Sequence, residues 1–128
     1  MRIVGHGIDL VEIARIERLL HDHPQKFPAR CFTASEHAAA GTSGPAAQFL
    51  AGRFAAKEAV LKALGTGLTG GIAWTDIEVV AEASGRPTLR LHAAAADLAR
   101  RLNADQWWIS ISHTAGFAQA SAIAVATA

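Results

Sequence analysis

The sequence predicts an α+β domain, on three observations. Strand-like alternation of apolar residues appears near the start, around residue 80 and twice near the end. A long alanine-rich helical pattern crosses the middle of the chain. Helices and strands follow one another without the regular strand–helix–strand repeat of a parallel sheet. At 128 residues the chain reads as one domain, 1–128, long enough to bury about two-thirds of its surface around one core.

Arg2 to Ile8 reads as a strand in which Gly5 and Gly7 fall on the same side and leave it bare, so that another element can approach closely. Asp9 is placed at the end of that strand, in a position that suits a helix N-cap. A helix is predicted from Leu10 to Leu20, with Ile13, Ile16 and Leu20 as its core stripe and Val11, Arg15 and Arg18 facing away. His21 to Pro28, polar and holding two prolines, reads as a loop. Thr33 and Glu36 have the spacing of a capping box and open a short helix. Gly41-Thr42-Ser43-Gly44-Pro45 is a break, and a long helix follows from about Ala46 to Leu64, stopped by Gly65-Thr66-Gly67. Ile72 to Ala81 is predicted as a strand, Gly85-Arg86-Pro87 as a turn, and Thr88 to Leu91 as the returning strand of a hairpin. Ala93 to Leu102 is helical. Trp107 to Ser112 and Phe117 to Val125 are two strands around a tight connection within His113 to Gly116.

Lysine and arginine total 12 against 11 acidic residues, a net charge of +1, which argues against a general nucleic-acid binder. Cys31 is the only cysteine, so no internal disulfide forms, and a reducing, cytoplasmic setting is expected. Residues Met1 to Leu10 include His6 and Asp9 and lack the apolar run of a signal peptide. No apolar stretch approaches the ~20 residues of a membrane helix.

On a helical wheel Leu50, Phe54, Leu61 and Leu64 share one stripe, Lys57 falls in its middle, and Arg53, Glu58 and Lys62 lie at or beyond its edges. An ammonium group there either reaches the helix edge with its charge in water or faces a cleft that holds a polyanion, with Arg53 and Lys62 beside it. Glu58 and Lys62 form a surface i,i+4 pair, or Glu58 serves a metal or a proton. Asp9 caps a helix, or joins Glu58 as a second carboxylate for a hard divalent cation. His113, at the end of an alternating Ile109-Ser110-Ile111-Ser112 run, is a structural hydrogen-bonder, a phosphate contact or a proton relay.

Three segments taken together, Gly7-Ile8-Asp9-Leu10-Val11-Glu12-Ile13, Arg53-Phe54-Ala55-Ala56-Lys57-Glu58-Ala59 with Lys62, and Ser110-Ile111-Ser112-His113, resemble the holo-acyl-carrier-protein synthases, a family of 4′-phosphopantetheinyl transferases. The resemblance implies an antiparallel sheet wrapped on a long central helix. It implies transfer of 4′-phosphopantetheine from coenzyme A to a serine of an apo acyl carrier protein, with a non-catalytic coenzyme A-binding regulator as the alternative. By position, Asp9 and Glu58 match the carboxylates that hold magnesium. Arg53, Lys57 and Lys62 match basic positions around the coenzyme A phosphates, and His113 matches a histidine at the coenzyme A site. Arg15, Arg18 and Lys26 match the face toward the acidic carrier protein. Glu58 is the first candidate for the base that takes the serine proton, and His113 the second. The short form of the family is half the length of two-lobed relatives, which implies a homotrimer with sites between subunits and the alanine-rich strand Phe117 to Ala126 as an interface element.

Overall fold

A 19-residue helix, α4 (Ala46–Leu64), is the axis on which the three-stranded sheet and the first and third helices pack in the computed structural model, which describes residues 1–41 and 46–128. The predicted break at Gly41 to Pro45 lies, from Thr42 onward, outside the described residues. In chain order the elements are β1 (Arg2–Glu12), α1 (Ile13–Asp22), α2 (Lys26–Cys31), α3 (Ala34–Ala40), α4, a 3₁₀ turn at Trp74–Asp76, β2 (Ile77–Ala81), β3 (Pro87–Leu91), α5 (Ala93–Arg101), β4 (Gln106–Thr114) and β5 (Phe117–Ala126). Antiparallel pairing gives a three-stranded sheet in the order β1-β5-β4 and a separate β2-β3 hairpin, so the class is α+β.

The sheet and α4 meet almost backbone to backbone. A Cβ on Gly5 would run into the carbonyl oxygen of Ala63, and one on Gly7 into that of Ala59. On β5 the residues facing the same way, Ala118, Ala120, Ala122 and Ala124, are all buried. Small side chains on both strands therefore let the helix lie close on the sheet. This corrects the expected use of the β5 alanines: they face the core, and the strand's outer face carries Phe117, Gln119, Ser121 and Ile123 instead. α4 is covered nearly all round, by β1, β4 and β5 on one side and by α1, α3 and β2 on the others. It is consequently apolar on more than the one stripe expected.

The other differences sit at element boundaries. β1 runs through to Glu12, because β5 offers it a partner at every step from Asp9↔Ala120 to Glu12↔Phe117. Asp9 is thus inside a strand and is no N-cap, and Val11 points into the core. The stretch expected as a loop contains α2; Pro28 stands in its first turn, where the missing N–H has no helical partner to lose. The capping box at Thr33 and Glu36 forms as expected. β2 begins five residues later than predicted, after the 3₁₀ turn, where Asp76 accepts from the Ala73 backbone N–H. His113 and Thr114 belong to β4, and the turn to β5 is Ala115-Gly116, both at positive φ as a tight hairpin turn requires.

Candidate active site

One group of side chains gathers where β1 crosses the C-terminal half of α4. Asp9 shares the face of β1 that Gly5 and Gly7 press onto the helix, so its carboxylate is carried to α4 and is only 17% exposed. Lys62 Nζ reaches across to donate to the Ile8 carbonyl at 2.8 Å and to Asp9 Oδ1 at 3.2 Å. Glu58, one turn earlier on α4, is half-buried beside them. Burial raises its pKa, the neighbouring Asp9 raises it further, and Lys62 and Arg15 pull the other way. Arg15, on α1, has its guanidinium 5.8 Å from the Phe54 ring centre. Among the described residues no three His, Cys, Asp or Glu side chains form a metal cage. Two neighbouring carboxylates with oxygen donors suit a hard divalent cation that takes its remaining ligands from phosphate and water.

A second group lies on the other side of the helix. A cavity of about 290 Å³ is lined by Gln48, Phe49, Arg53, Pro87, Ile111 and His113 among others. The Arg53 guanidinium stacks 4.1 Å from the Phe49 ring centre, and its Nε is buried with no hydrogen-bond partner among the described residues. Gln48 Nε2 and His113 Nε2 stand 3.3 Å apart. Nine residues separate Arg53 from Lys62, which on an α-helix is a rotation of about 180° and a rise of about 13 Å. Gly52 faces Ile111 on β4, whereas Lys62 faces β1, so the two groups sit at opposite edges of the three-stranded sheet.

Lys57 belongs to neither, which corrects its expected place at a phosphate. Its side chain is fully enclosed and its ammonium is 2.7 Å from Glu36 Oε1. It also donates to the carbonyls of Trp74, at 3.1 Å, and Ile77. With three acceptors used and no exposed surface, it has nothing left for an external anion. Burial lowers its pKa, against Glu36, which holds the proton on. The sequence did flag the position, because a lysine centred on an apolar stripe needs a partner. That partner, Glu36, was legible only as a capping residue.

Arg15, Arg18 and Lys26 are all exposed on α1 and α2. Arg18 makes a loose contact with Glu12 at 3.9 Å. Lys26 lies on a surface hollow of about 290 Å³ with Leu19 and Phe27 as its apolar part and His23 and Arg30 beside it. Arg30, four residues from Lys26, shares its helix face, a relation that a polar stretch with two prolines does not display in the sequence. Phe49 and Gln48 were missed because nothing in their spacing marks them.

Similar proteins agree with one another. The family described as the 4′-phosphopantetheinyl transferase superfamily matches residues 5–125. A holo-[acyl-carrier-protein] synthase of Koribacter versatilis is 42% identical over 121 residues, covering 94% of this chain and 97% of that protein. The crystal structure of the Neisseria meningitidis holo-[acyl-carrier-protein] synthase superposes with a TM-score of 0.88 at 31% identity, covering 97% of this chain and 99% of that one. The Helicobacter pylori enzyme, solved in complex with coenzyme A, gives 0.83 at 32% identity, covering 94% and 99%.

Proposed function

The chain belongs to the 4′-phosphopantetheinyl transferase superfamily, and on that premise we propose how its residues divide the work of the reaction. The activity is that of a holo-acyl-carrier-protein synthase: 4′-phosphopantetheine passes from coenzyme A to a serine of apo acyl carrier protein. The serine hydroxyl attacks the β-phosphate of coenzyme A, a new P–O bond forms to the serine, and adenosine 3′,5′-bisphosphate leaves with the old one. Charge gathers on phosphate oxygens, so the demands on the protein are positioning and electrostatic stabilisation.

The observation that carries the assignment is the convergence of Asp9, Glu58 and Lys62 from two distant segments onto one half-buried spot. Asp9 and Glu58 hold magnesium, which supplies positive charge against the pyrophosphate when bound. Lys62, its ammonium held at the same spot by the Ile8 carbonyl and Asp9, would add a second positive charge against the phosphates. Glu58 takes the serine proton, with His113 as the second candidate. Arg53 and His113, across the helix, hold the other part of coenzyme A; the unpartnered Arg53 Nε–H is a ready donor to an anion. Because the two groups lie at opposite sheet edges, a complete site needs the Arg53 group of one subunit beside the Glu58 group of the next. That requirement supports the homotrimer. The sheet's outer face, with Ile8 48%, Leu10 61% and Phe117 44% exposed, is the apolar surface such an assembly would cover. Arg15, Arg18 and Lys26 with the Leu19 and Phe27 hollow meet the acidic carrier protein, and the whole chain acts as a single domain in the cytoplasm. No helix among the described residues is long and apolar enough to cross a membrane.

The test is the intact mass of an apo acyl carrier protein after incubation with this protein, coenzyme A and magnesium. A gain of one phosphopantetheinyl unit, lost when a chelator is added, is the expected result. A gain that survives the chelator removes magnesium from the account.

A further inference from the structure

The turn between β2 and β3 holds a residue that the reaction does not use. Gly85 and Pro87 line the Arg53 and His113 cavity, and Arg86 stands between them. The Arg86 guanidinium stacks 4.8 Å from the Trp108 ring centre, and its Nε is 3.6 Å from Glu82 Oε1. Trp108 lies on β4 with Ile111 and His113, which form the opposite wall of the cavity. Being at an even position it points to the other face of that strand. The hairpin turn therefore straddles the edge of β4, with Gly85 and Pro87 on the cavity side and Arg86 hooked onto the outer side. β3 and β4 share no hydrogen-bonded ladder, since β2 and β3 form their own sheet. The spacing of the two cavity walls is left to side-chain contacts.

We propose that Arg86 stacked on Trp108 is a positioning clamp that sets the width of this cavity, and through it the affinity for coenzyme A, without touching the substrate. The proposal rests on the cavity being a coenzyme A site. A guanidinium over an indole suits this task because the cation is held over the ring face and the attraction persists at an exposed site. The short backbone hydrogen bonds of the turn, Glu82 N–H to Arg86 O at 2.8 Å and Gly85 N–H to Glu82 O at 2.8 Å, transmit the anchor to Gly85 and Pro87.

The experiment is steady-state kinetics of the full chain with coenzyme A varied and apo acyl carrier protein saturating. Arg86→Gln and Trp108→Leu are each expected to raise the KM for coenzyme A about three- to fivefold, the scale of an exposed cation–π contact, with kcat unchanged. Arg86→Lys and Trp108→Phe, which keep a cation and a ring face, are expected to stay near the native value. The double variant Arg86→Gln/Trp108→Leu is expected to be no worse than either single one, because both remove the same contact. Losses that add in the double variant overturn the proposal, as does a fall in kcat at unchanged KM. A weakening by Arg86→Gln with Trp108→Leu silent also overturns it, making Arg86 a direct phosphate contact. Arg53→Gln is the control for the premise: if that variant keeps the native KM, the cavity is not a coenzyme A site and the clamp falls with it. A raised KM in the Arg53 variant with the clamp variants at the native value rejects the clamp alone.

Discussion

Lys57 and Glu36 carry the largest single-residue consequences. A buried ammonium without a counter-charge is among the costliest groups a core can hold, and here it is matched by Glu36 and two carbonyls. Glu36 in turn accepts from the backbone N–H of Thr33 at 2.9 Å and of Val79 at 2.8 Å, so the pair ties α3, α4 and β2 together. Replacing Lys57 by Gln leaves the carboxylate uncompensated, and a loss of about 3–5 kcal/mol in denaturant unfolding is expected. A coenzyme A contact at this position predicts instead a native unfolding midpoint with a raised KM. Beside the pair, Glu78 accepts from the hydroxyls of Ser35 and Thr33 and lies 3.1 Å from His92 Nε2. Those hydrogen bonds, Ser35 first, hold its pKa down from 4.5 to about 2. A depressed carboxylate stabilises the fold fully above about 4.5 and loses that contribution as pH falls toward 2. Glu78→Gln should therefore differ from the native protein in stability at pH 6 and converge with it near pH 2, as read from acid unfolding curves.

The β1–α4 contact sets the position of Asp9. Gly5 and Gly7 have no room for a side chain against the helix backbone at Ala63 and Ala59. A carbonyl in mid-helix cannot step aside as a flexible side chain can, so Gly7→Ala must lift β1 from α4. The expected cost is at least the roughly 1–3 kcal/mol of an overpacked core. Transfer activity should fall by more than the loss of folded protein explains, because Asp9 moves away from Glu58 and Lys62. Activity per folded molecule, with folding followed by circular dichroism, checks this. Gly52→Ala is the milder companion: its Cβ would meet only the Ile111 side chain, at 2.9 Å, on the cavity side of the helix.

The whole molecule has its two groups of charged side chains at opposite edges of one sheet. If subunits complete each other's sites, an Arg53→Ala chain and a Glu58→Gln chain, each inactive alone, should recover activity when unfolded, mixed and refolded together. In a 1:1 mixture about a quarter of the interfaces bring two intact halves together, so about a quarter of native activity is expected. No recovery, with the mixed oligomer verified by mass, would place the entire site within one chain. The same scale explains the outer sheet face. Ile8, Leu10 and Phe117 are strand residues by pattern and exposed by position, and recovery in the mixed oligomer would make a second copy their occupant.

Residue chemistry and periodicity were enough to read α4 to its ends, the Thr33 capping box, the bare face of β1, the hairpin and the two final strands, because each depends on neighbours within a few positions. They also drew attention to Asp9, Glu58, Lys62 and Arg53, since charges beside an apolar pattern need a reason. Tertiary contact decided the rest. β5 extended β1 past Asp9 by supplying hydrogen-bond partners that local propensity does not encode. Glu36 makes Lys57 half of a core ion pair, since only folding brings α3 against α4. The separation of Arg53 from Glu58 and Lys62 is a property of the packed helix. A wheel shows the angle between them, but only the sheet on one side of α4 and the hairpin and helices on the other show what stands in that angle.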